Sequence, residues 1–298
     1  MAFLPDLERE GIVYGFSDGT IQLSEGNSSC RRKVDADGPV WVVAVSNDSK
    51  YIVTGGDDDK ITIWNSNLDV QQKIRPTASS REKVIALDVS PDSATVACGS
   101  KDGEVSAWSI TSGECLVGPL AAHHGEVICI QFSPQGDRIA TAANSDPSLR
   151  IWNSLTGDLL LDVKEFNPCS LVWLSDEQIL AVSEARTQCL NASTGFTLAT
   201  CPLGMTQLAI SHGRTMVAGL NNRDVRFWDS NTHTWGPSII KFDYKPYSIT
   251  LFPCFLVAGG DGHSSVWDLT DPGLRLFAQG LDHDAVSEPF TADGASMG

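Results

Sequence analysis

Basic residues are scarce in this chain: 21 lysines and arginines face 37 aspartates and glutamates, for a formal net charge of −16. Nucleic-acid binding rests on counterion release by a dense Lys/Arg surface, and docking on anionic lipid needs the same cations. Both partner classes are disfavoured, and the long-range field favours basic partners instead. No apolar run reaches the roughly 18 residues of a membrane-spanning helix. The opening "MAFLPDLERE" turns charged too early for a secretory leader. Nor does any CxxC pair occur among the eight cysteines, Cys30, Cys98, Cys115, Cys129, Cys169, Cys189, Cys201 and Cys254. Several of them sit inside apolar runs such as "VICIQF", the pattern of buried free thiols in a reducing compartment. The expected location is cytoplasmic, which makes the sequons at Asn27, Asn47 and Asn191 chance matches. Helical periodicity with caps is missing from every stretch longer than a turn.

What the chain does contain is repetition. "IVTGGDDDKITIWN" (52–65), "VACGSKDGEVSAWS" (96–109), "IATAANSDPSLRIWN" (139–153), "MVAGLNNRDVRFWD" (216–229) and "FLVAGGDGHSSVWD" (255–268) are variants of one phrase. "IVYGFSDGTIQLSE" (12–25) is a weaker copy. Each reads as an apolar run, a Gly/Asp/Asn turn and an alternating run that closes on tryptophan. Trp64, Trp108, Trp152, Trp228 and Trp267 hold that last slot, with Ser24 and Leu190 in the weaker copies, at spacings of 38 to 44 residues. Strand-like content at this period indicates a propeller or solenoid.

A further apolar run precedes each phrase, as in "VWVVAVSNDS" (40–49), "VIALDVSPDS" (84–93) and "VICIQFSPQG" (127–136). Such runs, apolar on nearly both faces, suit strands covered on two sides. A polar turn and a weaker strand follow each tryptophan slot, for example "TSGECLVGPL" (111–120) and "LTGDLLLDV" (155–163). One unit is thus four antiparallel strands with two apolar faces, and stacking units around an axis buries both faces while leaving few edges. The expected fold is all-β, a seven-bladed β-propeller of four-stranded antiparallel blades. Its blades fall near 1–38, 39–79, 80–122, 123–164, 165–203, 204–240 and 241–280, with the first incomplete at its innermost strand. A tail, 281–298, begins a further repeat with "LDHDAVSEPFTADG". It reads either as a ring-closing strand beside the first blade or as the start of a severed repeat in a longer array.

"GPLAAHHGEVICIQFSPQGDRIATAANSDPSLRIWNSLTG" (118–157) resembles a WD repeat over its whole length, and 84–113 is nearly as close. The Trp-Asp pair itself stands at Trp228-Asp229 and Trp267-Asp268. The phrasing is similar to the tandem WD-repeat arrays of large fungal proteins, including signalling proteins. This resemblance implies a fold more than an activity. It also implies, in well-formed blades, a hydrogen-bonded tetrad of His, Ser/Thr, Asp and Trp. The fourth blade matches at every position, with His123, Thr141, Asp146 and Trp152. Thr54, Asp58 and Trp64 match in the second blade, and Asp102 and Trp108 in the third, where Cys98 takes the hydroxyl slot. The sixth has Asn222 and Trp228 with Ala218 in that slot, the seventh has Asp261 and Trp267, and the fifth is degenerate. Buried carboxylates need donors, so these sets read as structural staples and not as catalytic dyads.

Other motifs carry no chemistry. "GDGHSSV" (260–266) lacks the second glycine and the following helix of a serine-hydrolase elbow. The pair His123-His124 has no further ligands near it for zinc. The "DDD" at 57–59 is a turn with too few oxygens for calcium. Gly259-Gly260 lacks the Lys-Ser/Thr of a phosphate loop. No catalytic residue, metal site or cofactor is expected.

The resemblance implies a partner-binding face around the channel, formed by the loops between second and third strands and those between outer and innermost strands. Ser17, Asp57, Asp59, Lys101, Ser145, Asn221, Arg223 and Gly260 are its candidate residues. Together they make a weakly acidic face without an aromatic anchor. The expected function is a non-enzymatic protein–protein interaction scaffold, free-standing or one module of a larger signalling protein. The alternative is an enzyme or small-ligand-binding propeller with a site in the central channel, which three or more clustered His, Asp or Glu would favour.

Overall fold

The computed structural model describes residues 2–5, 10–25, 32–76, 82–251, 255–260, 263–270 and 276–279. The tail 281–298, and with it the question of ring closure by that tail, lies outside the described residues. Among them every regular element is a β-strand, and the strands form seven separate antiparallel sheets in chain order, the blades of a propeller. The innermost strands are Ala2–Pro5, Val40–Val45, Val84–Val89, Val127–Phe132, Ser170–Ser175, Gln207–Ile210 and Ser248–Leu251. The first of these spans four residues, and its pairing begins at Ala2 opposite Val13, so Tyr14 and Gly15 of the second strand outrun it.

One turn recurs between innermost and second strands because one serine does. Tyr51 N–H donates to Ser46 Oγ at 2.9 Å, Thr95 to Ser90 at 2.9 Å, Arg138 to Ser133 at 3.1 Å and Met216 to Ser211 at 3.0 Å. A short hydroxyl side chain that bonds nearby backbone is what makes serine a turn former.

The core is divided among the seams. Alternate residues of each blade point to opposite neighbours, as the strand period of two requires. In the fourth blade Ile139 and Trp152 pack against the third, in a cluster with Ala86, Ala97 and Val105. Ala140, Leu149 and Ile151 pack against the fifth, with Leu171, Trp173 and Ile179. Each slot tryptophan faces the preceding blade in the same manner: Trp64 the first, Trp228 the fifth and Trp267 the sixth. The seam between the seventh and first blades is partly polar. Buried Tyr14 hydrogen-bonds Ser264 across it. On the other face of the seventh blade, toward the sixth, Tyr244 Oη meets Ser265 Oγ at 2.6 Å. Burial pushes the Tyr14 phenol up to about 12 against the opposing pull of Ser264.

The sixth blade departs from the four-stranded plan. Its outer strand is broken into Thr234–Trp235 and Ile240–Lys241, both paired with the third strand. Pro237 lies in the break, and without an N–H it cannot continue the ladder. The register also moves the hydroxyl slot. Gly219 lies opposite Arg226, as Thr141 lies opposite Arg150 in the fourth blade, so the slot is held by Gly219 and not by Ala218. The space left by the glycine is filled by Trp235. A Cβ built on Gly219 would stand 2.5 Å from the Trp235 ring. That indole donates to Thr187 Oγ1 of the fifth blade at 2.8 Å and meets Trp228 edge-on at 5.2 Å.

Gly219→Ala is therefore expected to lower stability by about 1–3 kcal/mol through overpacking. Gly236→Ala, whose Cβ would find only ordinary contact, at 3.5 Å from the Phe227 carbonyl oxygen, serves as the tolerated control. Urea-unfolding midpoints of the two variants check this.

Candidate functional site: the channel mouth and the blade staples

In the fourth blade the four tetrad residues meet. Trp152 Nε1 donates to Thr141 Oγ1 at 2.9 Å, Thr141 Oγ1 lies 2.8 Å from His123 Nε2, and His123 Nδ1 lies 3.1 Å from Asp146 Oδ2. A neutral imidazole carrying its proton on Nδ1 satisfies the whole chain from indole to carboxylate. Asp146 also accepts from Ser148 Oγ at 2.7 Å, from the His124 N–H at 3.2 Å and from Arg150 at 3.1 Å. Burial raises the Asp146 pKa, but the Ser148, His124 and His123 hydrogen bonds and the Arg150 charge outweigh it and hold the group near 2. Burial holds His123 below its ordinary value, against the pull of Asp146. All four side chains are buried, so this constellation is closed to substrate.

Other blades keep parts of the staple and improvise the rest. Trp64 Nε1 donates to Thr54 Oγ1 at 2.9 Å in the second. In the third, Trp108 Nε1 donates to Ser106 Oγ at 2.8 Å, with Cys98 Sγ 3.1 Å from the same hydroxyl. The hydroxyl has moved from the second strand to the third, directly opposite Cys98. Tyr244 holds the seventh blade through Ser265 and the Ala258 carbonyl, while Asp261 lies outside the described residues. No sequence motif signalled Ser106 or Tyr244, because each is defined by what it faces across a strand or a seam.

At the channel mouth, Asp57 and Asp59 are neutralised rather than free. Lys83 pairs with Asp57 at 2.8 Å and Arg75 with Asp59 at 3.4 Å, while Lys101 reaches Glu126 at 3.7 Å. The Lys83 hydrogen bond draws the Asp57 carboxyl below its usual range, opposed by desolvation and aided by Trp41. Asn221 is half-buried, its side-chain amide donating to the Gly204 carbonyl at 3.0 Å. Ser17, Ser145 and Arg223 are exposed, and Gly260 is half-buried at its strand end. Asn221 is the one member of the candidate set that also lines an opening of about 770 Å³ at this mouth.

Two aromatics at this mouth were not in the sequence-derived set. Trp41 and Tyr247 line the opening with Lys245, Glu184 and Asn222, and they are 55% and 61% exposed. Trp41 is the extra residue of a β-bulge, with Val40 opposite Gly56 and Val42 opposite Gly55. The same bulge leaves Ile85 and Ile128 out of the pairing in the next two blades. A bulge re-aims a side chain, and here it delivers Trp41, Ile85 and Ile128, one residue from each of these three blades, to the mouth. Trp41 Nε1 donates to Asp57 Oδ1, and the Lys245 ammonium stands 5.7 Å from the Tyr247 ring centroid. The expectation of a face without an aromatic anchor is thus corrected. Counting from the turn acids overlooks residues on the innermost strands.

Deeper in the channel wall stands Asp88. Its carboxylate accepts the Phe132 N–H of the neighbouring blade at 2.7 Å. Desolvation pushes its pKa up to about 7, against the backbone hydrogen bonds of Phe132 and Val89 and the Arg214 charge. Among the described residues no group of three or more His, Cys, Asp or Glu is arranged to hold a metal ion.

The WD domain, G-beta repeat family matches residues 28–65, 72–109 and 114–153. WD repeat-containing protein 26 homolog of Arabidopsis thaliana is 28% identical over 47% of this chain and 24% of its own length. The p21-activated protein kinase-interacting protein 1-like protein of Gallus gallus is 31% identical over 38% of this chain and 30% of its own length. Protein FIZZY-RELATED 3 of Arabidopsis thaliana is 26% identical over 74% and 48%. The matches thus span about a quarter to a half of these relatives. The crystal structure of the computationally designed Ika8 protein superposes with a TM-score of 0.71 at 20% identity, covering 94% of this chain and 86% of that one, a likeness of fold.

Trp152→Ala is expected to cost about 3–5 kcal/mol through the cavity it leaves, read as a lowered urea midpoint. The pH dependence has a definite sign. His123 is depressed from 6.5, so its contribution is full above that value and fades as pH falls below it. Asp146, depressed from 3.8 to about 2, contributes fully above 3.8 and loses its share as pH falls between the two values. His123→Gln should flatten the decline of stability just below pH 6.5 and leave the lower one in place. Asp88 has the opposite sign, because a folded pKa raised from 3.8 to about 7 weakens folding as pH rises through that window. Melting temperatures should rise more for Asp88→Asn above that window than below it.

Proposed function

We propose, from the premise that the chain belongs to the WD-repeat β-propellers, that it is a non-enzymatic scaffold whose channel mouth holds a protein or peptide partner. Propellers of this family generally bind protein partners and are generally not enzymes. The observation that carries the reading here is the pair Trp41 and Tyr247, two exposed aromatic rings on one open, polar-rimmed mouth. Exposed aromatics on a stable frame are the side chains that most often dominate binding energy. The candidate turn residues Ser17, Lys101, Ser145, Asn221, Arg223 and Gly260 form the rim of this reading, with Asp57 and Asp59 positioning their cationic partners.

The net charge of −16 favours a basic partner by long-range steering and weighs against nucleic acid. Six described cysteines are free, in keeping with a cytoplasmic location. The chain acts in this reading free-standing or as one module of a larger signalling protein. The relative named for interaction with a p21-activated kinase makes kinase-linked signalling one setting for the same scaffold.

The test is affinity purification with mass spectrometry, comparing the wild type with Trp41→Ala/Tyr247→Ala. Truncating two binding hot spots should reduce recovery of the mouth's partner by about tenfold or more, with the melting temperature unchanged because both rings are exposed. Full recovery of every partner by the double variant would show that the mouth is not the interface.

A further inference from the structure

A second surface lies away from the channel, at the outer strands of the third, fourth and fifth blades. Those strands, Cys115–Ala121, Leu159–Lys164 and Thr197–Cys201, begin just after the turn that follows the tryptophan slot. Each contains the same irregularity opposite the third strand. Trp108 pairs with Cys115 and Ala107 with Val117, so Leu116 is left over. Trp152 pairs with Leu159 and Ile151 with Leu161, leaving out Leu160. Leu190 pairs with Thr197 and Cys189 with Ala199, leaving out Leu198. These three bulged leucines are about half exposed. The second blade has the same bulge but fills it with Gln71, between Val70 and Gln72.

Further apolar groups join the row. Leu155 is 82% exposed and Phe196 74%. The blades also touch here. A Cβ on Gly157, in the turn after Leu155, would contact Val117 and Leu120 of the third blade, and one on Gly195, just before Phe196, would contact Leu161 and Val163 of the fourth. Leu116 and Leu155 line one hollow between blades. Exposed apolar side chains scattered singly need no explanation, but a row repeated in register over three neighbouring blades does.

Four acidic side chains border the start of these outer strands. Asp92 lines the same hollow, Glu114 and Asp158 directly precede the outer strands, and Glu177 accepts from Ser193 in the turn before Phe196. None of the four makes an ion pair among the described residues. A partner that covers these leucines must therefore offer an apolar stripe bordered by Lys or Arg. It must also cross three separate sheets. Strand addition extends one sheet edge only, whereas a helix can lay apolar side chains at three- and four-residue spacing across a ridge.

We propose that the outer rim of the third to fifth blades docks a basic amphipathic helix of a protein partner, with Leu116, Leu160, Leu198, Leu155 and Phe196 as its apolar seat and Asp92, Glu114, Asp158 and Glu177 as its charge border. This site is independent of the channel mouth.

The probe is a fluorescein-labelled leucine/lysine amphipathic helix of about 18 residues, long enough to be helical in isolation, with a leucine/glutamate helix of the same pattern as its control. Fluorescence anisotropy on the full chain should show binding of the lysine helix, and hydrogen exchange should show protection in 115–121, 155–164 and 196–201. The quadruple variant Leu155→Ser/Leu160→Ser/Phe196→Ser/Leu198→Ser should weaken binding about tenfold or more with the melting temperature held. Should that variant melt early, Leu155→Ser/Phe196→Ser, which alters only the two most exposed side chains, takes its place. Trp41→Ala/Tyr247→Ala should leave this binding untouched. Three outcomes would overturn the proposal: equal affinity for wild type and variant, equal affinity for the glutamate helix, or a concentration-dependent dimer in sedimentation that the same substitutions abolish.

Discussion

Covering each blade on both faces is the constraint from which the rest follows. A four-stranded sheet with two apolar faces has no stable existence alone in water, and only neighbours on both sides remove that surface from solvent. The second and third strands record this demand, since Ile52, Val53, Ala140, Ile151, Leu180 and Val257 are fully buried although they point to alternate seams. Tryptophan in the recurring slot then makes physical sense. It is the largest side chain available to reach the preceding blade, and its indole N–H finds a hydroxyl acceptor in the second, third and fourth blades. The tetrad of the fourth blade satisfies that N–H through Thr141 and passes the hydrogen-bond chain on to His123 and Asp146.

Blades that lost a tetrad member show which part of the staple matters. A hydroxyl near the indole is retained in the third blade by shifting it to Ser106, and Tyr244 grips Ser265 in the seventh. In the sixth, the slot is emptied to Gly219 and a second tryptophan occupies it, bonded to the neighbouring blade. These are different solutions to one packing problem. They keep the space filled while abandoning the residue pattern, and in the sixth and seventh blades the slot indoles of Trp228 and Trp267 have no hydrogen-bond partner among the described residues.

The bulges do the reverse work of exposing side chains. At the start of the innermost strands they turn Trp41 to the channel mouth, and at the start of the outer strands they leave Leu116, Leu160 and Leu198 out of the ladder. An unpaired residue in a strand is no longer bound to the alternation that hides its neighbours. The same local device thus contributes to two surfaces, with Trp41 at the channel mouth and the three leucines at the outer rim.

By itself the sequence determined the repeat, its period, the strand order within a unit and the count of seven, because those follow from apolar alternation and turn residues that are local in the chain. It also placed His123, Thr141, Asp146 and Trp152 in one blade, through a resemblance whose motif is likewise local. Tertiary structure alone decided that Gly219 and not Ala218 holds the sixth slot, that Pro237 splits an outer strand, that Ser106 stands in for a missing threonine, and that Asp57 and Asp59 are neutralised by Lys83 and Arg75. Trp41 and Tyr247 became visible as neighbours only when the ring brought the second and seventh blades to one mouth. The physical reason is the same in each case: register, bulges and ion pairs are set between strands that are distant in sequence, where a one-residue shift reverses which face a side chain sees.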